Sequence, residues 1–250
     1  MRTNTAKRKL AAGRPVSVVN PTYTAPGLVE LLGRSGHDVI FIDCEHGPAS
    51  WDAVEDMVRA AELTDVTPIV RVQSHDPSTI TRALDRGAGG VQIPHVNTRA
   101  EAEAVVRHAK FAPLGHRGFA GGRSAFGETM SEYTRRANEE TMVVVMLEEL
   151  EALRNLDDIL GTPHVDVFFV APGDLAQSMG YPGQMDHPAV QAAIDDAVKR
   201  IRAAGRAPGV LATPATVRRY VDLGALFLYV SLAALLGPGT REFLGALGRA

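Results

Sequence analysis

Eight short apolar runs recur along the chain, and a helical segment follows most of them. The runs are rich in β-branched residues and apolar on both faces, as strands of a parallel sheet covered by helices are. They are Val16–Val19, Val39–Asp43, Pro68–Val72, Gly90–Pro94, Met142–Leu147, Val165–Val170, Ala207–Leu211 and Ala225–Val230. Eight such units in 250 residues are typical of a (β/α)8 barrel. We therefore predict an α/β fold in which residues 1–250 form a single TIM-barrel domain.

The segments between the runs carry helix start and stop signals. An Asp-Pro pair opens the helix that ends near Gly87, and Asn97 or Thr98 is a suitable cap for the next helix. Gly36 and Gly205 close two further helices. The alternative fold is a doubly wound open sheet. Its dinucleotide-binding form is disfavoured, because no glycine-rich phosphate fingerprint follows the first strand.

Charge and cysteine content exclude several classes of protein. The net charge of −3 argues against a nucleic-acid surface, and the single cysteine fits a reducing compartment. The N-terminal segment is basic but has no apolar core, so we do not expect a signal peptide. The longest apolar stretch, GALFLYVSLAALLG, is too short to span a bilayer. We expect a cytoplasmic protein that acts on a small molecule, without nucleic-acid or membrane partners.

Polar side chains follow several of the predicted strands, at the barrel end where chemistry takes place. These residues lie at or just past the strand ends: Asp43, Glu45 and His46 at the second strand, Arg71 and Gln73 at the third, Gln92 and His95 at the fourth, Glu148 and Glu149 at the fifth, and Asp174 after the sixth. The informative feature is that two carboxylates, an imidazole and a guanidinium converge on one rim.

Glu148 and Asp174 form a pair suited to a hard divalent cation. Two carboxylates with open positions match Mg²⁺ or Mn²⁺, whereas zinc would favour more histidine or cysteine. The alternative for each acid is a cap on the helix that follows it, since acids favour helix N-termini. Asp174 can serve both purposes, because its Ala-Pro-Gly turn exposes backbone N–H groups.

His46 and Arg71 are the candidate catalytic groups. Asp43 lies three residues before His46, where it could hold one ring nitrogen and fix the tautomer; the alternative is a structural histidine. Arg71 ends an apolar strand, so its buried charge requires an anion. That anion is either a neighbouring carboxylate or a substrate oxyanion. We interpret Cys44 as a packed side chain rather than a nucleophile.

One long connection, from Phe111 to Met130, is rich in glycine and arginine. A connection of this length in a compact domain is usually functional or disordered. His116 and Arg123 are weak site candidates within it. The remaining histidines, His95 among them, are treated as background.

Several stretches together resemble the motifs of the HpcH/HpaI aldolase family, the metal-dependent class II pyruvate aldolases. They are FIDCEHGP, PIVRV, VQIPHVNTRAEAEAVVRHAKFAPLGHRG, MLEE and VAPGDLAQSMGYPG…HPAVQAAI. The Asp-x-Glu-His and Gly-Asp-Leu-x-x-x-Met-Gly stretches are specific in combination, and the resemblance covers residues 10 to 245. It implies a (β/α)8 barrel assembled as a hexamer, a trimer of dimers in which neighbours exchange the last helix.

The resemblance also implies roles for single residues. Glu148 and Asp174 would bind the metal, and Arg71 would face the keto oxygen and the developing enolate. His46, paired with Asp43, would be the acid/base. The backbone N–H groups of Gly173 and Asp174 would hold the pyruvate carboxylate.

The chain departs from the family pattern at two places. Met146 stands where the family usually has a glutamine, two residues before the metal-binding glutamate. The segment VVNPTY replaces the usual apolar-aromatic segment after the first strand. Both departures concern the substrate, and neither removes the carboxylate pair or the arginine.

The predicted reaction is reversible aldol cleavage of a 4-hydroxy-2-oxo acid to pyruvate and an aldehyde. A divalent cation (Mg²⁺ or Mn²⁺, with Co²⁺ possible) would stabilise the enolate as a Lewis acid. No lysine stands at a strand end, which disfavours an imine route. One alternative is a related enolate-forming enzyme: a citrate-synthase-like enzyme, a CoA-thioester lyase that would use Arg117 and Arg123, or an oxaloacetate decarboxylase. The other is a keto-acid-binding barrel without catalysis.

Overall fold

Eight parallel strands close into a barrel in the computed structural model of the protein, which describes residues 1–120 and 122–249. Each strand pairs with the next one along the chain, and the last pairs with the first. The strands are β1 (Val16–Asn20), β2 (Val39–Asp43), β3 (Thr67–Arg71), β4 (Gly90–Ile93), β5 (Met142–Leu147), β6 (Val167–Val170), β7 (Pro208–Leu211) and β8 (Phe227–Ser231). The closed ring confirms the predicted barrel and excludes the open sheet.

All eight predicted strands form, with ends that differ from the prediction by two residues or fewer. Strand β6 begins at Val167 rather than at the predicted Val165, and a side-chain contact explains this difference. There the Asp166 carboxylate, instead of a backbone carbonyl, accepts a hydrogen bond from the Val143 N–H at 2.8 Å. A side chain therefore replaces one step of the strand ladder.

Helices surround the barrel, and all but the first of them follow a strand. They are α1 (Thr5–Ala11), α2 (Pro26–Arg34), α3 (Trp51–Glu62), α4 (Pro77–Asp85), α5 (Arg99–Ala109), α6 (Met130–Glu140), α7 (Leu150–Arg154), α8 (Leu156–Leu160), α9 (Pro172–Ser178), α10 (Pro188–Ala203), α11 (Val217–Leu223) and α12 (Leu232–Ala246). Of the two cap candidates for α5, Thr98 is the one that caps it, in a capping box with Glu101. Asp76 caps α4 through the Ser78 N–H.

The strands separate two apolar layers because their side chains alternate between the two faces. The inward-facing side chains form one apolar cluster inside the barrel, which includes Phe41, Ile69 and Met146. The intervening residues, such as Val70 and Val91, pack outward against the helices. This alternation decides which strand residues can reach the interior of the barrel.

The amino-terminal end of the barrel is covered by α1. Ala6 and Leu10 of this helix belong to the inner apolar cluster. Asn4, which caps α1, also donates hydrogen bonds to the carbonyl oxygens of Gly89 and Glu140, both at 3.0 Å. With this end covered, the carboxyl ends of the strands are where a ligand can enter.

The long connection between Phe111 and Met130 packs on the outer helices rather than on the barrel mouth. Gly121 within it lies outside the described residues. Arg117 is buried and pairs with Asp85 at 2.6 Å. Arg123 makes two hydrogen bonds to Glu62, at 2.8 and 2.5 Å. Both arginines are therefore already neutralised by carboxylates.

Helix α12 has no buried residue, although its sequence is largely apolar. Leu236 and Phe243 are more than half exposed. A groove of about 390 Å³ lies nearby, with Val16, Leu228 and Leu235 among its lining residues. In the part of the chain that the structure describes, no helix combines the length and apolarity needed to cross a membrane.

Candidate active site

Arg71 is the centre of a polar cluster at the barrel mouth. It ends β3 in register with Asp43, which ends β2. Its Nε and Nη2 donate to the two Asp43 oxygens at 2.9 and 2.7 Å, and its Nη1 lies 3.0 Å from Glu45 Oε2. The guanidinium also lies over the Phe41 ring, 5.7 Å from its centroid. Neighbouring carboxylates thus fix its position, which was one of the two predicted alternatives.

The pairing with Arg71 sets the protonation of Asp43. Burial alone would raise the pKa of this carboxyl group, but the hydrogen bonds and charge of Arg71 outweigh burial and hold the pKa below its usual value. Asp43 is therefore an anion at neutral pH, and its charge is used to orient the arginine.

The predicted contact between Asp43 and the His46 imidazole is wrong. Asp43 Oδ1 accepts from the backbone N–H groups of Glu45 and His46, at 3.0 and 3.3 Å. Both oxygens are also engaged by Arg71, so they hold the turn and the guanidinium rather than the ring. The His46 side chain is 69% exposed, and its Nε2 lies 3.9 Å from Glu45 Oε2.

Glu148 follows β5 and is only 2% exposed. Its Oε1 accepts a hydrogen bond from the His95 backbone N–H at 2.6 Å, so it does not cap the helix that follows it. Burial raises its pKa to about 7, and the nearby charges of Asp174 and Glu45 act in the same direction, against the opposing contacts with His95. An ionised Glu148 is therefore costly for the protein on its own.

Asp174 lies in the first turn of α9 with an exposed side chain. Its charge raises the pKa of Glu148, so the two carboxylates lie close enough to repel each other. A Cβ built on Gly173 would meet no atom within 4 Å, which leaves open space in front of this turn. The two carboxylates therefore lie at the same rim of the barrel, beside an accessible stretch of backbone.

The arrangement fits a divalent cation. Glu148 is buried, and no residue in the described ranges donates to its second oxygen. A cation between Glu148 and Asp174 would remove both the desolvation cost and the repulsion. Oxygen-only donors favour a hard ion such as Mg²⁺ or Mn²⁺. Across residues 1–120 and 122–249, no group of three or more His, Cys, Asp and Glu side chains forms a closed metal cage. The rest of such an ion's coordination would come from water or substrate.

His95 belongs to this site, although the sequence analysis treated it as background. Its Nδ1 lies 3.0 Å from Glu149 Oε1 and 3.4 Å from Glu148 Oε1, and its Nε2 lies 3.7 Å from Glu45. Burial would lower its pKa, but these carboxylates outweigh burial and raise it. Its position directly after the VQIP strand end, at the same rim as the other candidates, was the signal available in the sequence.

Asn20 and Tyr229 form a second polar contact that the sequence analysis missed. Asn20 Oδ1 accepts from the Thr22 N–H at 2.7 Å, which directs its Nδ2 to the Tyr229 hydroxyl at 2.8 Å. Tyr229 packs edge-on against Phe41, below Arg71. The unusual VVNPTY segment therefore contributes an amide to the barrel mouth.

Cys44 is a free and buried thiol, as predicted. Burial raises its pKa to about 11, and the negative charge of Asp43 adds to this effect. A thiol that stays protonated at neutral pH is a poor nucleophile. Its side chain is part of the apolar cluster outside the barrel.

We predict that Glu148→Gln stabilises the metal-free protein at pH 8 by about 3 kcal/mol. The pKa of Glu148 rises from 4.5 in the unfolded chain to about 7 in the fold. Between these values the native state binds more protons than the unfolded state, so stability falls as the pH rises. Glu148→Gln has no titrating carboxyl group at this position, so its unfolding free energy does not fall in this way as the pH rises. Urea unfolding should be measured for both proteins from pH 4.5 to 8. The difference in unfolding free energy between Glu148→Gln and the parent should grow up to pH 7 and stay constant above it.

Glu151→Gln is the matched control, because this nearby glutamate side chain in α7 is exposed. It should change the unfolding free energy little across the same range. A Glu148→Gln variant that is less stable than the parent at pH 8 would contradict the assignment of Glu148 as an uncompensated buried acid.

Comparison with known proteins agrees with this geometry. The family model HpcH/HpaI aldolase/citrate lyase matches residues 22–232. A 4-hydroxy-2-oxo-heptane-1,7-dioate aldolase of Shigella sonnei is 37% identical over 246 residues, which cover 97% of this chain and 94% of the relative. An HpcH/HpaI aldolase/citrate lyase family protein from Burkholderia cenocepacia superposes with a TM-score of 0.91 at 31% identity, covering 98% and 99% of the two chains. A citrate synthase, SbnG, superposes with a TM-score of 0.84 at 26% identity, covering 97% and 95%. The chain belongs to the HpcH/HpaI aldolase/citrate lyase family.

Proposed function

We propose that the protein is a metal-dependent carbon–carbon lyase that cleaves 4-hydroxy-2-oxo acids reversibly to pyruvate and an aldehyde. The observation that carries the proposal is the buried Glu148 carboxylate beside Asp174, at the same barrel mouth as Arg71. The Shigella sonnei relative, 37% identical over nearly the whole chain, is named as an aldolase of this kind.

Glu148 and Asp174 hold the cation in this proposal, with Mg²⁺ or Mn²⁺ as the preferred ions and Co²⁺ as a possible substitute. When bound, the cation acts as a Lewis acid toward the keto oxygen and lowers the cost of forming an enolate. The backbone N–H groups of Gly173 and Asp174 bind the pyruvate carboxylate. The open space in front of Gly173 supports this placement.

Arg71 stabilises the negative charge that develops on the substrate oxygen. Its contacts with Asp43 and Glu45 engage three of the five guanidinium N–H groups, which leaves donors for a ligand. Because two carboxylates already hold the guanidinium, it needs little reorganisation when charge develops. Asp43 is thus a positioning residue for Arg71.

His46 removes the proton from the 4-hydroxyl group and returns it in the reverse reaction. Its exposed ring is free to meet a substrate, and Glu45 rather than Asp43 is the carboxylate near its Nε2. Glu45 therefore contacts both the proposed acid/base and Arg71. Histidine is the side chain that most often serves as the general acid or base in such a step.

An imine mechanism is disfavoured by the position of Lys110. Burial and the neighbouring Lys7 charge lower its pKa to about 7, a property that Schiff-base lysines share. Its Nζ, however, donates to the carbonyls of Asn138 and Thr141, and Thr141 directly precedes β5. Lys110 therefore lies at the amino-terminal end of the barrel, away from Glu148.

Citrate synthesis is the second candidate function, since one structural relative at 26% identity is a citrate synthase. The CoA-dependent alternative has less support. Arg117 and Arg123, its only candidate phosphate contacts, are paired with Asp85 and Glu62.

We also propose that copies of the chain assemble as a hexamer in which neighbours exchange α12. An apolar helix without any buried residue is expected to pack against another molecule. The groove lined by Val16, Leu228 and Leu235 is an apolar surface against which α12 of a neighbouring copy could pack. The free Cys44 is consistent with a reducing compartment, and we propose the cytoplasm.

The assembly can be measured by light scattering coupled to size exclusion. We expect the unmodified chain to be a hexamer, and Phe243→Asp to shift it to smaller species because this exposed side chain would lie in the exchanged interface. Asp222→Ala, on the surface of α11, is the control. A monomeric parent protein would contradict the proposal.

Removal of the cation should abolish enolate formation. We predict that the protein exchanges the methyl protons of pyruvate in heavy water, followed by NMR. A chelator should reduce the exchange at least a hundredfold, and Mg²⁺, Mn²⁺ or Co²⁺ should restore it. The assay needs no knowledge of the aldehyde. Unchanged exchange in the presence of chelator would exclude the metal-dependent route.

Arg71→Ala should lower the exchange rate by two decades or more, because the loss of one oxyanion partner costs about 3–4 kcal/mol. The matched control is Arg123→Ala, which removes another arginine paired with a carboxylate, Glu62, on the outside of the barrel. Circular dichroism should show that both variants fold. If Arg71→Ala exchanged pyruvate as fast as Arg123→Ala, the role of Arg71 would be structural.

A further inference from the structure

Gln92 is a buried polar side chain that the proposed mechanism does not use. It lies on β4 between Val91 and Ile93, which both pack outward against the helices. Because strand side chains alternate, Gln92 points into the barrel. It is only 1% exposed, and among residues 1–120 and 122–249 its Oε1 finds no hydrogen-bond partner.

The neighbours of Gln92 place it directly beside the proposed active site. It is in register with Arg71 on β3, so the two side chains leave adjacent strands on the same face. On its other side it is in register with Val144 of β5. Met146 of β5 and Glu148, which follows the strand, are the next inward-facing positions toward the barrel mouth. A side chain as long as glutamine can reach a ligand held between these strands.

A structural role alone does not explain this glutamine. The inner cluster around it consists of apolar side chains such as Ile69, Val144 and Met146. An isolated amide in such surroundings destabilises the fold unless it is hydrogen-bonded, and a leucine or methionine would fill the same space without that cost. An unpaired acceptor that faces a ligand site is accounted for if a ligand or its water completes the bond.

The position of Met146 gives the amide a specific task. The family resemblance implies a glutamine at this point of β5, whereas here the Met146 side chain is buried in the inner cluster and has no amide to donate a hydrogen bond. Gln92 lies one strand away. Its backbone also belongs to the segment that continues past β4 to Val96, whose N–H donates to the Met146 carbonyl at 3.2 Å. The side chains of Gln92 and Met146 therefore lie in the same part of the barrel interior, just below its mouth.

We propose that Gln92 supplies from β4 the amide that is missing at position 146. Its NH₂ group donates to an oxygen of the bound 2-oxo acid, and its Oε1 accepts from the water beside that ligand. Gln92 is thus a substrate-binding residue of the proposed aldolase site. The inference rests on the proposed function, and its test separates binding from turnover.

The test compares the parent protein, Gln92→Leu, Met146→Gln and the exchanged double variant Gln92→Met/Met146→Gln. Calorimetry with Mn²⁺ present measures the affinity for pyruvate, and NMR in heavy water measures methyl proton exchange. We expect Gln92→Leu to weaken pyruvate binding at least fivefold and to slow exchange at least tenfold. Its melting temperature should equal or exceed that of the parent. The double variant should recover to within threefold of the parent in both measurements.

Thr141→Val is the matched control. Its hydroxyl is also buried without a partner, but it lies just before β5, at the opposite end of the barrel. Its removal should leave binding and exchange unchanged. Met146→Gln alone should change both less than twofold, because Gln92 already provides the amide. This variant keeps the test decisive even if Gln92→Leu fails to fold.

Two results would overturn the inference. One is a folded Gln92→Leu protein that binds and exchanges pyruvate within twofold of the parent. The other is a tenfold gain from Met146→Gln alone, which would show that the amide position had been vacant. A parent protein that binds pyruvate without exchanging it would instead defeat the proposed lyase function, while the affinities would still decide the role of Gln92. A parent protein that binds no pyruvate would overturn both.

Discussion

The burial of one carboxylate at the mouth of the barrel governs the rest of the site. Glu148 is almost fully enclosed, receives a single backbone N–H on one oxygen, and lies near the like charge of Asp174. The fold holds this acid in a place where burial favours its protonated form or the binding of a cation. In the proposed function, a cation held by Glu148 and Asp174 would offset the cost of the ionised form and place positive charge near Arg71, where an enolate would form.

The barrel makes this placement possible through the alternation of its strand side chains. Outward-facing residues such as Val70 and Val91 bury against the helices, while the inward-facing residues next to them form the interior. Polar groups that end a strand are therefore delivered to one rim from different parts of the chain. One result is the cluster around Arg71. The guanidinium at the end of β3 forms ion pairs with Asp43, at the end of β2, and with Glu45, in the turn that follows β2.

The strand and helix pattern was readable from the sequence because periodicity and helix caps are local signals. The positions of Glu148, Asp174 and Arg71 at one rim of the barrel were also predictable, because each lies at or just after the carboxyl end of a strand. Contacts between side chains were not readable. Asp43 was assigned to the His46 ring by proximity in sequence, but Arg71 on the next strand competes for both of its oxygens. His95 was missed because its role depends on three glutamates distant in sequence.

The most direct experiment is a crystal structure of the protein grown with Mn²⁺ and pyruvate, with anomalous scattering recorded at the manganese edge. We expect a single strong anomalous peak coordinated by both Glu148 and Asp174, with the pyruvate keto oxygen also bound to the ion. A peak elsewhere, or carboxylates that point away from each other at full Mn²⁺ occupancy, would contradict this expectation.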